Sequence, residues 1–155
     1  MDAFIMPSTA SLIKKLKLDY PEFNFIASNR YSWSPTSQSI QYINDNNFEQ
    51  LLHELSHGLL GHTDYSRDIE LLGMERDAWD KAVALTSDYK LQINSKIIES
   101  NLDSYREWLH TRSLCPKCDA NGSQVSRDTY ECPACSNRWR VNDARICALR
   151  RYNIK

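Results

Sequence analysis

Glycine and proline are scarce in this chain, four and five among 155 residues. That scarcity excludes collagen-like, linker-rich and low-complexity architectures, and it points to a chain that folds. No apolar run approaches the roughly 20 residues that a membrane-spanning helix needs, so no membrane partner is expected. The opening stretch MDAFIMPSTASLIKKLK has no basic region followed by an apolar core and a small-residue cleavage site. A secretory signal is therefore not expected, and a cytoplasmic location is. Histidine is also rare, four in all, yet three of the four fall within HELSHGLLGH, residues 53–62.

The length allows one ordinary domain with its own core plus at most one small module that needs outside help to fold. A hydrophobic share of 41% and a charged share of 25% are ordinary globular values. The net charge of −1 hides an asymmetry. From Thr111 onward nine basic residues face four acidic ones, a local excess of five, so the preceding residues are acidic overall. A basic end on an acidic body makes nucleic acid or an acidic partner a candidate contact. Four of the five cysteines form two C-x-x-C pairs, which fits metal binding in a reducing compartment better than a disulfide framework.

Along the chain, Ser8 followed by Leu12, Ile13, Leu16 and Leu18 predicts a short amphipathic helix that Tyr20-Pro21 ends. Phe23, Phe25 and Ala27 alternate, as do Tyr31 with Trp33 and Ile40 with Tyr42 on either side of the turn residues SPTS. Two or three antiparallel strands are expected, the last pair a hairpin. Asn44 to Asn47 then cap a helix carrying Phe48, Leu51, Leu52, Leu55, Leu59 and Leu60, closed by Gly61. Further helices are expected over about 68–87, with Gly73 a mild defect, and over about 93–111.

On a helix, residues four apart share a face, so His53 and His57 can hold one metal ion. Glu54 sits beside that face. This is the logic of H-E-x-x-H, in which two imidazoles bind zinc and the glutamate serves as general base. His62 stands five residues after His57, roughly 140° around an unbroken helix, and reads as a cap or surface residue rather than a ligand. The metzincin pattern also needs its glycine and third histidine at other positions. A catalytic zinc takes three protein ligands, so the third is sought on the next helix. Glu70, Glu75 and Asp77 are the candidates there. Glu75 is favoured because Ala78, Trp79 and Ala82 can form a packed face beside it; Asp77 is second because of its shorter side chain.

FEQLLHELSHGLLGH followed by MERDAWDKAVAL resembles the gluzincin-type zinc peptidases of the ImmA/IrrE-like group and, more distantly, HtpX-type peptidases without their membrane spans. The resemblance covers roughly residues 23–90. It implies that the glutamate of an E-x-x-A-[ND] helix, here Glu75, is the third ligand. Trp79 stands where that group has Asn or Asp, so the partner usually supplied from there is missing; Asp77 and Asp80 are the candidate substitutes. The resemblance also implies that an extended peptide adds to the edge strand before the motif helix, which SQSIQY, residues 37–42, would provide.

The fold class expected is α+β: a small antiparallel sheet packed on the two zincin helices, followed by a small zinc ribbon. The domains expected are 1–111, a zincin-like metallopeptidase, and 112–155, the ribbon with a basic tail. The activity expected is that of a zinc metallopeptidase, an endopeptidase acting on an intracellular protein. Zinc held by His53, His57 and Glu75 would polarise the scissile carbonyl, and Glu54 would activate the zinc-bound water. Tyr65 and His110 are candidates for stabilising the oxyanion by residue type.

CPKC at 115–118 and CPAC at 132–135 enclose 13 residues, the spacing of a four-cysteine zinc ribbon. Cys115, Cys118, Cys132 and Cys135 would close the coordination sphere of a structural zinc. A module this small should fold only with its metal. Cys147 is left over and reads as a packing residue beside Ile146 and Leu149. Arginines interleaved with Trp139 and Tyr152 make the C-terminal region a candidate nucleic-acid surface or a docking face.

Domain order also resembles that of SprT-like proteins, which act on DNA-bound proteins and take a third histidine from a later helix; His110 is the one histidine after His62. A third reading is an inactive zinc-binding adaptor for nucleic acid or protein. Metal analysis separates these readings. About two zinc ions per chain are expected, one lost in Glu75→Ala and neither in His62→Ala; retention of both in Glu75→Ala would point to Asp77 or His110 instead.

Overall fold

The computed structural model describes residues 8–144 and 148–154. Cys147, read as a packing residue, lies outside them. The described chain is α+β, with four α-helices and two small sheets. The described residues divide into two compact units, one within 8–63 and 74–95, the other within 64–73, 96–144 and 148–154.

In the first unit, α1 (Thr9–Asp19) starts where the Ser8 side chain accepts from the Ser11 backbone N–H. It buries Leu12, Ile13 and Leu16, while Leu18, expected on the same face, is 79% exposed. Thr9 is tied to Asn46 in both directions, backbone N–H to Oδ1 at 3.1 Å and Oγ1 from the Asn46 N–H at 2.8 Å. This bond brings the loop before α2 (Phe48–Leu59) against the start of α1. Asn47 caps α2 by accepting from the Gln50 N–H.

Three strands, β1 (Asn24–Ala27), β2 (Ser32–Ser34) and β3 (Ser39–Tyr42), form a sheet of order β1-β3-β2. The β2–β3 hairpin pairs Trp33 with Ile40, as expected. β1, however, runs parallel to β3, pairing Phe25 with Ile40. This corrects the all-antiparallel expectation, because residue alternation is the same in both kinds of pair and does not encode direction. It also overturns the edge role of residues 37–42. β3 is the central strand, and its main-chain groups face β1 on one side and β2 on the other.

α3 (Asp68–Leu85) continues into a 3₁₀ turn, Thr86–Tyr89. Ala78, Trp79, Ala82 and Leu85 recur at helical spacing on its buried face. Tyr89 donates from its hydroxyl to Asp19 at 2.6 Å, closing the unit back onto the end of α1.

The second unit contains α4 (Ser95–Ser113) from Lys96 onward and a four-stranded antiparallel sheet. The strands are β4 (Ser123–Ser126), β5 (Thr129–Glu131), β6 (Arg138–Val141) and β7 (Arg151–Ile154). Arg138 and Arg140 point outward from β6 while Trp139 and Val141 are buried. Within the basic end, Arg151–Ile154 form strand β7, which pairs residue by residue with β6.

This unit's boundaries differ from the division at 111/112, and a buried polar network explains why. Arg112, on the last turn of α4, donates from Nε to Asp68 Oδ2 at 2.6 Å; the two residues are 4% and 1% exposed. The Tyr130 hydroxyl of β5 also donates to Asp68. Arg112 donates further to the Asn142 carbonyl at 2.6 Å, and its own carbonyl accepts from Trp139 Nε1 at 2.9 Å. The start of α3 and the end of α4 thus belong to the core of the cysteine module. No periodicity in the sequence reports a pair 44 residues apart.

Removing one partner of a buried, hydrogen-bonded ion pair leaves the other charge uncompensated. Asp68→Ala is therefore expected to cost about 3–5 kcal/mol in urea denaturation. The double replacement Asp68→Leu with Arg112→Met should cost markedly less than Asp68→Ala alone. A loss below about 1 kcal/mol in Asp68→Ala would contradict the burial of the pair.

Candidate metal centre

The first cluster is built on α2. His53 and His57, one turn apart, are both buried, and their rings meet edge to face with centroids 4.6 Å apart. Glu75, 5% exposed, enters from α3. Its Oε2 lies 2.8 Å from His53 Nε2 and its Oε1 lies 3.2 Å from His57 Nε2, while the two Nε2 atoms are 3.1 Å apart. These three residues form one of the two groups among the described residues whose ligand atoms all lie within 4.8 Å of one another.

Electrostatics at this cluster divide the two glutamates. Burial works against ionisation of Glu75, but hydrogen bonds and positive charge from His53 and His57 outweigh it and hold its pKa down at about 2. At Glu54, burial prevails over the same two histidines and over a hydrogen bond from Gln50, so its pKa is raised. One carboxylate is thus held as an anion facing both imidazoles, and the other is the more basic of the two.

The donor set fits a zinc ion. Two imidazole nitrogens and a carboxylate pointing at one another repel unless a cation or a proton lies among them. Ligands at 2.0–2.2 Å around a tetrahedral zinc would be separated by roughly 3.3 Å, close to the distances here.

The surroundings of the two imidazoles are unlike each other. His53 stacks on Trp79, centroids 4.2 Å apart and 25° between planes, and its buried Nδ1 has no hydrogen-bond partner among the described residues. Trp79 therefore offers His53 a stacking surface where the resembled group has a polar residue. Neither Asp77 nor Asp80 substitutes: both are exposed, and Asp77 pairs with its neighbour Arg76 at 3.4 Å. His57, by contrast, has its Nδ1 2.8 Å from His62 Nδ1.

His62 caps the helix end, one of the two roles read for it, but its ring is not turned away from the cluster. The helix ends in a Schellman arrangement: the His62 N–H donates to the His57 carbonyl and the Gly61 N–H to that of Gly58, with Gly61 at φ 67°. That turn folds the chain back and brings the His62 ring onto His57. Burial is the main cause that lowers the pKa of His62.

Trp33, beyond its place in β2, holds this helix end. Its Nε1 donates to the His62 carbonyl at 2.9 Å. A Cβ at position 58 would stand 3.0 Å from Trp33 Cζ3, so the glycine there admits the ring. The signal available in sequence was the pair of Gly58 and Gly61 flanking a helix end.

The remaining candidates lie in the second unit. Tyr65 sits with its ring under the Arg127 guanidinium, 5.7 Å away, and His110 is exposed on the last turn of α4. Glu70 is exposed and accepts from the Ser66 N–H at the start of α3.

The second cluster is made by two matching turns. Asp119 N–H donates to the Cys115 carbonyl and Ser136 N–H to that of Cys132, each at 2.9 Å, and both Asp119 and Ser136 have φ 62°. Sulfur atoms of Cys115 and Cys135 are 3.7 Å apart, and those of Cys118 and Cys132 are 3.5 Å apart. A tetrahedral zinc with four sulfurs at 2.3 Å would separate them by roughly 3.8 Å. Burial opposes ionisation of Cys115, but the backbone N–H groups of Cys118 and Lys117 and the Asn137 amide overcome it and bring its pKa to about 6. Cys132 is lowered in the same way by the backbone N–H groups of Cys135 and Ala134. Amides aimed at sulfur favour the thiolate at Cys115 and Cys132, the form that binds metal, whereas at Cys118 the backbone N–H of Ala120 is outweighed by hydrogen bonds with Cys132 and Cys135, which push its thiol up to about 12.

No protein-family model, curated protein or solved structure matches the chain.

The core around the cysteines is small, with Tyr130, Trp139 and Val141 packed beside Cys115 and Cys132. Metal removal by a strong chelator is therefore expected to unfold the β4–β7 sheet, which hydrogen exchange of the Tyr130 and Trp139 amides would register. Undiminished protection of those amides in metal-free protein would contradict a structural metal.

Proposed function

We propose that this chain is a zinc-dependent endopeptidase of gluzincin type, hydrolysing peptide bonds in an intracellular protein substrate. The observation that carries the reading is the convergence of His53, His57 and Glu75, with Glu54 next to His53 on the same helix. A zinc ion held by His53 Nε2, His57 Nε2 and the Glu75 carboxylate supplies Lewis acidity toward a scissile carbonyl and an attacking water.

The chain's own groups do the rest. Glu75 and the two imidazoles fix the reacting centre. Glu54, a carboxylate with a raised pKa, takes the proton from the attacking water and delivers it to the leaving amine. An extended substrate pairs along β2, which has β3 as its one neighbour in the sheet and packs Trp33 against the end of α2. The second metal centre, with four thiolates, leaves no position for water and serves structure alone.

A glutamate in the third position supports the gluzincin reading over the SprT-like one, which needs a later histidine. His110, the sole histidine after His62, is exposed on α4.

Glu54→Gln is expected to keep both zinc ions and to lower kcat on a fluorogenic peptide library by about 10²–10⁴-fold. Cleavage within about tenfold of wild type, with zinc still bound, would place the general base elsewhere.

A further inference from the structure

We infer that His62 is a positioning residue for His57, accepting the Nδ1–H of His57 at its own Nδ1 and so fixing the ring that presents Nε2 to the metal. The inference rests on the reading of His53, His57 and Glu75 as a metal centre, and it deepens that reading.

A neutral imidazole carries one proton. When Nε2 of His57 is given to a metal, that proton resides on Nδ1 and needs an acceptor. The Nδ1 of His62 lies 2.8 Å away and is the partner the structure provides. For that bond to form, His62 must carry its own proton on Nε2, so one tautomer choice dictates the other. Outer hydrogen bonds of this kind orient a ligating imidazole and raise its basicity.

The acceptor is held from three sides. The backbone turn at Gly61, φ 67°, returns the chain onto the helix end, and the His62 N–H is bonded to the His57 carbonyl at 3.0 Å. Trp33 Nε1 bonds the His62 carbonyl at 2.9 Å. Trp33 is itself braced edge to face on Phe23, with centroids 5.4 Å apart. The His62 ring is half-buried against that of His57, their centroids 5.1 Å apart. His53 has nothing equivalent, since its Nδ1 is without a hydrogen-bond partner among the described residues and its ring is oriented by Trp79. The two imidazoles are therefore fixed by different forces, one by a hydrogen bond and the other by stacking.

Zinc competition against a chromogenic chelator tests this, with wild type, His62→Leu and His62→Asn compared. Asn places its Oδ1 near the position of the lost Nδ1 and can accept the same proton. At saturating zinc all three should hold two ions. The site of His53, His57 and Glu75 should lose about 10–100-fold in affinity in His62→Leu and stay within about threefold of wild type in His62→Asn. The cysteine centre should be unchanged in all three, which reports that the chain is folded.

In zinc-loaded wild-type protein labelled with ¹⁵N-histidine, a scalar coupling across the hydrogen bond should connect Nδ1 of His57 with Nδ1 of His62. Two zinc ions bound with affinity unmoved by His62→Leu would overturn the positioning role alone. So would a His57 proton found on Nε2 in the zinc-loaded protein. A wild-type chain that binds one zinc ion would overturn the metal-centre reading as well.

Discussion

A carboxylate in the interior must either be neutralised or be met by partners, and Glu75 is met by two. That requirement organises the first unit. The partners have to project from one face of one helix, which fixes them at positions four apart on α2. They also have to be reached from a second helix, whose buried face carries Ala78 and Ala82 among its larger side chains. Sliding α3 by one turn would bring Leu71 or Trp79 to the position of Glu75 and leave both imidazoles facing carbon. The register between the two helices is therefore set by a charge as much as by packing.

The second unit meets the same kind of demand by a different route. Its cysteines pack against a small apolar core of Tyr130, Trp139 and Val141, and polar groups carry much of the organisation. Asp68 is approached by the Arg112 guanidinium and the Tyr130 hydroxyl, and the same arginine reaches the Asn142 carbonyl. Arg112 also lies over the Trp108 ring, 4.8 Å from its centroid. One side chain thus serves an ion pair, a loop carbonyl and an aromatic face, and it belongs to the helix that the sequence pattern had joined to the other domain.

What could be read from the sequence was whatever repeats locally. The spacing of His53 and His57, the cap at Asn47 and the two C-x-x-C pairs are short-range patterns with a fixed geometric meaning, and the atoms that could hold a metal do come together. Glu75 was legible because Ala78, Trp79 and Ala82 mark the buried face of its helix. The His62 contact was not, because a helix end at Gly61 leaves open where the next residue points; a left-handed glycine changes the direction of the chain within one residue. The parallel pairing of β1 was hidden because alternation has no direction. β7 was more accessible than it was taken to be: the outward arginines and inward Trp139 and Val141 of RWRV have the period of a strand, and a strand needs a neighbour.

The two cysteine turns share one backbone form, each closed by hydrogen bonds over five or six residues and each with a non-glycine residue in the left-handed region. Such short loops close with little entropy to lose, so each C-x-x-C pair can reach its bent shape on its own. A metal ion bound there would have to join two half-made cups across 13 intervening residues, a single search whose cost grows only with the logarithm of loop length. Assembly of such a centre would be a two-body problem within one chain, and lengthening the segment between the cups would slow it far less than altering either cup.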